Sequence, residues 1–134
     1  MKITRRTDYA IHLIAELSEN PTKPLGLRTL ADRHNVTYAF ARTVQQGLLK
    51  SGIIETVRGI NGGIKLAKPL DEISLLEVFE AAQDPLDTAF NNDDVPWCEC
   101  ADDCVSKDVW HSTKTLLGEH LAGISMHHIL KPKK

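Results

Sequence analysis

A chain of 134 residues with 42% hydrophobic and 25% charged positions has the size and composition of one globular domain, or of one domain with an oligomerisation arm. Its charge is unevenly placed: residues 1–68 carry 11 Lys/Arg against 5 Asp/Glu, residues 69–134 carry 5 against 13, and so contact with a polyanion is expected of the front half alone. The start MKITRRTDYAIHLIAEL has charges inside its apolar pattern and does not read as a signal peptide, and no apolar run reaches membrane-spanning length; a soluble cytoplasmic protein is expected.

In chain order, Ile3, Ala10, Ile11, Leu13, Ile14 and Leu17 recur at helical spacing and predict a helix over residues 3–19. The stretch NPTKPLG ends it with two prolines and a glycine. LRTLADRHN predicts a short second helix with Leu27, Leu30 and Ala31 inward. Thr37 is placed to cap a third helix, YAFARTVQQGLLKSG, which stops at Gly52. Two β-prone runs, residues 53–57 and 64–67, flank a Gly-rich turn, and Ser74 caps a fourth helix within DEISLLEVFEAAQ. Residues 84–102 read as irregular. DCVSKDVWHSTKTLLGEHLAG predicts a long helix with Val105, Val109, Leu116, Leu117 and Leu121 at helical spacing, SMHHIL a short last one, and KPKK a frayed end.

This order predicts a mainly α-helical protein with a small β-hairpin, built as a winged helix-turn-helix over residues 1–83. Residues 84–104 form a cysteine-bearing loop, and residues 105–134 a long helix and C-terminal segment. On the third helix Tyr38, Ala41, Arg42, Gln45 and Gln46 are expected on or near one polar face, beginning at Thr37. Arg suits guanine edges and Gln adenine edges, so the face fits base readout, although a solvated helix surface has a similar composition. In RGINGG, Arg58 stands beside Gly59, Gly62 and Gly63; glycine lets a tip approach a backbone closely, and an Arg there suits a narrow minor groove. Lys2, Thr4, Arg5 and Arg6 are placed for phosphate contacts.

All three cysteines, Cys98, Cys100 and Cys104, fall in PWCECADDCVSKDVW. An odd trio in an acidic loop of a chain expected in a reducing compartment reads as metal-binding or reactive before it reads as a disulfide. Zinc on the thiols and a metal-free thiol sensor are two readings of that kind. No nucleophile–base pair, phosphate loop or paired catalytic carboxylates suggest an enzyme; a cluster-carrying electron-transfer subunit without DNA binding is the reading from another class.

The stretches MKITRRTDYAIHLIAEL, LADRHNVTYAFARTVQQGLLKSGIIETVRGINGGIKLAKPLDEISLLEVFEA and the late cysteines before a Trp resemble the Rrf-two family of bacterial winged-helix regulators. The strongest part is VRGINGGIKLAKPLDEISLLEV, over the wing and the fourth helix. The resemblance implies a homodimer joined by the long C-terminal helix and bound to double-stranded operator DNA. It also implies, as in many members, an iron–sulfur cluster that sets DNA affinity through redox state, iron supply or nitric oxide. The family's pattern has three cysteines spaced by five residues, the last standing six before a Trp. Cys104 matches the last position relative to Trp110 and Cys98 the middle one; the first falls on Asn92, Cys100 is extra, and Lys107 stands where some relatives have a histidine ligand.

Two further ligands are therefore open. Cys100 is one candidate. The other is the pair Asp8 and His12, one helical turn apart, a carboxylate and an imidazole suited to a metal. In a crossed dimer they would complete a 2Fe–2S cluster held by two cysteines of the other subunit, a mixed ligation that close relatives also imply. An Asp–His hydrogen bond or two solvated residues account for the same spacing. His34 is expected either beside the site or as a helix cap, and His127 and His128 at the surface.

Overall fold

Thr4 starts the first helix by turning extended backbone into α1 (Arg5–Glu19), its hydroxyl accepting from the Thr7 amide. The helix begins two residues later than its apolar spacing suggests, and Ile3, expected on its inner face, is exposed. The computed structural model describes residues 3–83 and 105–130, and in the last long helix the side chains from residue 108 onward. Tyr9, Ala10, Leu13, Ile14 and Leu17 form the buried stripe of α1, at the i, i+4 spacing that brings side chains to one helix face.

Against that stripe pack α2 (Leu27–Arg33), through Leu30 and Ala31, and α3 (Tyr38–Lys50), through Ala41, Val44 and Leu48. α2 is two residues shorter than expected because Asn35 adopts a positive φ of 54°, which no helix accommodates but which Asn tolerates. The four residues His34–Thr37 thus make the turn of the helix-turn-helix. Thr37 caps α3, its Oγ1 accepting from the Phe40 amide at 3.1 Å. Gly52, at φ 75°, closes the chain behind α3 and admits the hairpin β1 (Ile54–Val57) and β2 (Gly63–Leu66), antiparallel with Ile54 opposite Leu66 and Val57 opposite Gly63. Ile64 is fastened on its other side by two backbone hydrogen bonds of 2.9 Å to Leu25, which ties the hairpin to the α1–α2 connection.

A 3-10 turn at Leu70–Glu72, not anticipated from sequence, leads into α4 (Leu75–Ala82). Ser74 and Glu77 form a reciprocal capping box, with Ser74 Oγ accepting from the Glu77 amide at 3.1 Å, while Lys68 Nζ holds the Glu77 carboxylate at 3.0 Å. Ser74→Ala is expected to cost about 1 kcal/mol in urea unfolding, since one amide of the first turn loses its partner.

The long helix α5 (Val105–Ala122) packs against α4, and α6 (Met126–Ile129) returns the chain to the core. Met126 is fully buried beside Ile73, its amide bonded to the Ile73 carbonyl at 2.8 Å, and the Leu75 amide bonds to the Ile124 carbonyl at 2.8 Å. The C-terminal segment is therefore stitched to the helix-turn-helix unit and not free of it. α5 itself is only partly covered: Val109, Trp110 and Leu116, of which Val109 and Leu116 were expected on its apolar side, are 57%, 52% and 68% exposed.

Candidate functional site

The solvent face of α3 carries Ala39, Arg42, Thr43, Gln46 and Lys50, all exposed. Tyr38 sits at its start with Arg28 of α2 stacked on the ring, the guanidinium carbon 4.7 Å from the centroid. This cation–π contact braces the two helices at the end where the exposed polar face of α3 begins. Two residues expected on that face lie elsewhere. Ala41 is fully buried in the core, one step round the helix. Gln45 is half-buried, its Oε1 shut from solvent, so Gln46 replaces it as the outward amide beside Arg42. Arg28 was missed by sequence reasoning; its spacing of ten residues before Tyr38 carries no periodic signal across a turn.

A shallow cleft of about 690 Å³ joins this face to the start of α1, lined by Arg6, Thr43, Gln46 and Lys50 among others. Arg5 is exposed in the first turn of α1, and Lys2 lies outside the described residues. The start of α1 is held by one side chain at the far end of α4. Gln83 Oε1 accepts from the Thr4 amide at 3.1 Å, from Thr4 Oγ1 at 3.0 Å and from Thr7 Oγ1. Arg58 and Gly59 occupy the wing tip, both exposed, with Gly59 at φ 116°, a conformation that a side chain would strain.

On the opposite, outward side of α1 lies the second candidate site. Asp8 Oδ2 and His12 Nε2 approach to 3.6 Å, with side chains 69% and 58% exposed, so their donor atoms converge and remain accessible. The His12 ring leans on His34, centroids 5.8 Å apart, and His34 Nε2 stands 2.9 Å from Glu16 Oε1 without hydrogen-bond geometry. Glu16 also accepts from Arg33 at 3.0 Å. His34 is the C-cap residue of α2, as one of the two expectations had it, and lies against His12. Tyr9 packs edge-on to His34, and burial, with the charge of Glu16 adding to it, raises its phenol above the ordinary tyrosine range. Among the described residues no three His, Cys, Asp or Glu side chains gather closely enough to hold a metal ion. Cys98, Cys100 and Cys104 lie outside the described residues. His127 and His128 are exposed, as expected.

A buried three-helix core, a four-residue turn before an exposed polar helix and a glycine-bearing hairpin behind it define a winged helix-turn-helix protein. The chain belongs to the Rrf2 family of transcriptional regulators: the family profile described as "Rrf2: Iron-dependent Transcriptional regulator" matches residues 3–132. The HTH-type transcriptional regulator NsrR of Halalkalibacterium halodurans is 34% identical over 118 residues, covering 86% of this chain and 80% of that protein. Among solved structures, T. potens IscR superposes with a TM-score of 0.73 at 22% identity, covering 98% of this chain and 87% of that one. CymR of B. subtilis, titled the global cysteine regulator, superposes at 0.75 with 18% identity, covering 100% and 99%. These two likenesses establish the fold. No helix of the described residues is long and apolar enough to cross a membrane.

Proposed function

We propose that this transcriptional regulator binds operator DNA as a homodimer and that an iron–sulfur cluster, held by Cys98 and Cys104 of one subunit with Asp8 and His12 of the other, sets its affinity. The observation that carries the reading is the Asp8–His12 pair. Two donor atoms of different chemistry converge at 3.6 Å on an exposed face of α1. A carboxylate oxygen and an imidazole nitrogen fit an iron site that lacks two of its thiolates. When bound, a cluster supplies a centre that responds to redox state, iron supply or nitric oxide.

The chain's own residues explain how such a centre would act on DNA. Asp8 and His12 stand on the helix whose first turn bears Arg5 and Arg6. His12 touches His34 at the turn that aims α3. Gln83, gripping the start of the same helix, is followed in sequence by the cysteine-bearing stretch. Fixing α1 from its outer side therefore constrains both the basic start and the reading helix. The exposed Val109, Trp110 and Leu116 of α5 support a second copy of the chain as the partner, because an apolar stripe on a long helix is costly in water and is covered by its symmetry mate.

The test is anaerobic purification followed by visible absorption and Mössbauer spectra, with random-duplex selection on the cluster-loaded and cluster-free protein. A loaded site gives sulfide-to-iron charge-transfer bands and two inequivalent irons. Zinc on the same thiols would give neither and would displace the cluster from the reading. Absence of any sequence preference in both forms would sink the operator-binding part. With an operator in hand, Arg42→Ala is expected to weaken binding about tenfold and to relax preference at one base position, as loss of a bidentate base contact does; fluorescence anisotropy across operator variants checks it.

A further inference from the structure

Ile60 is the most exposed large apolar side chain among the described residues, with 104% of its reference surface open to solvent. Single exposed aliphatics are common on protein surfaces and mean little by themselves. What sets Ile60 apart is the backbone that carries it. The loop that carries it is closed beneath it by the Gly62 amide on the Gly59 carbonyl at 3.0 Å and by the Val57–Gly63 pair of the hairpin. Gly62 is packed so tightly that a Cβ there would stand 2.1 Å from the Val57 carbonyl oxygen. A Cβ on Gly63 would stand 2.3 Å from the carbonyl oxygen of Leu25, which anchors β2 to the body of the protein. An isoleucine is thus held outward on a stiff support, between Arg58 on one side and Asn61 on the other, where it contributes no burial to the fold.

We infer that Ile60 is an apolar reader of the minor groove: its side chain packs against the floor and sugar walls of the groove at A·T pairs and rejects G·C pairs. The inference rests on the reading of the chain as an operator-binding protein and names what its wing discriminates. The chemistry is specific. The minor-groove floor of an A·T pair presents adenine N3 and thymine O2 with no protruding group, whereas guanine places its 2-amino group in the middle of the floor. An aliphatic side chain lying there meets that amino group sterically and strips its water without offering an acceptor. Apolar side chains pressed into the minor groove are an established way of using shape. Arg58 beside it reads a different property, the negative potential of a narrow groove. The pair would therefore separate shape from potential at one tip.

The two readings can be told apart by base analogues. In an operator selected by the unmodified protein, each flanking adenine is replaced in turn by 2,6-diaminopurine, which adds the 2-amino group and leaves the major groove of an A·T pair unchanged. At one or two positions in each half-site this is expected to weaken binding roughly tenfold, the range of one mismatched pair. Ile60→Ala is expected to lose that penalty at those positions, Ile60→Leu to keep it, and Arg58→Ala to bind more weakly overall while still showing it. Inosine in place of guanine should relieve the penalty of a G·C substitution for the unmodified protein. Since Ile60 touches nothing in the fold, unchanged thermal unfolding of the variants is expected. If Ile60→Ala suffers the same diaminopurine penalty as the unmodified protein, or the unmodified protein suffers none at any flank, the inference is overturned while operator binding stands. If the unmodified protein selects no operator at all, the DNA-binding reading fails and the inference falls with it.

Discussion

Replacing Gly47 with alanine is expected to destabilise the protein by about 3 kcal/mol in urea unfolding, the reverse of what helix propensity alone predicts. Gly47 lies in the interior of α3, where alanine is better than glycine by about 1 kcal/mol. A Cβ at this position would stand 2.1 Å from the Ala81 carbonyl oxygen and 3.2 Å from its carbon. The obstacle is backbone of α4 and not the end of a flexible side chain, so a whole helix must shift by more than an ångström to relieve it. Gly47 therefore sets how closely α3 and α4 approach, and α3 is the proposed reading helix. Part of the loss should appear as weakened operator binding in protein that is still folded, because a displaced α4 also carries Gln83 away from Thr4 and Thr7. Equal urea midpoints for the two proteins would show that the helices have room to separate.

The second large effect concerns the proposed metal centre. Cys104→Ala, Cys98→Ala and His12→Ala are each expected to lose or convert the cluster on anaerobic reconstitution, with visible absorption falling by more than half. Cys100→Ala is expected to retain it. Asp8→Ala should convert it to a less stable form, since a carboxylate is replaced more readily by water than a thiolate is. Far-ultraviolet dichroism should be unchanged for His12→Ala and Asp8→Ala, because both side chains are more than half exposed and support no core contact. Native spectra in both α1 variants, together with an unchanged response of DNA affinity to cluster loss, would move the ligands to Cys100 and elsewhere. Equal iron content in Cys104→Ala and the unmodified protein would remove Cys104 from the set.

Much of the architecture was legible because local signals and burial agree. Thr37 and Ser74 are capping residues that also stand at the starts of apolar periodic runs, so both helix starts are placed correctly from sequence. The end of α2 was not, because a left-handed Asn35 leaves no mark in the apolar pattern that runs up to it. Ile3 and Ala41 show the limit of spacing arguments. An apolar residue immediately before a cap looks like part of the stripe, and an alanine fits a polar face as easily as a core. Among the expected DNA-facing residues, Arg42, Tyr38, Arg58 and Arg5 are exposed to solvent. Gln45 is turned inward because neighbouring helix positions differ by about 100° and its own lies at the edge of the face. The Asp8–His12 pairing was readable from its i, i+4 spacing, whereas its neighbour His34 is brought in by tertiary packing and could be placed only near the turn.

The two backbone bonds that join Leu75 to Ile124 and Met126 to Ile73 bring the ends of a long excursion of the chain side by side. The chain thus enters α4 and leaves α5 at neighbouring points, and everything between them forms a closed ring of backbone whose two described arms, α4 and α5, pack on each other. The closure entropy of such a ring grows only with the logarithm of its length, by about 0.6 kcal/mol per doubling. A change in the number of residues between α4 and α5 therefore adds little to the cost of closing it, whereas α4 itself is fixed by its packing on α1 and α3.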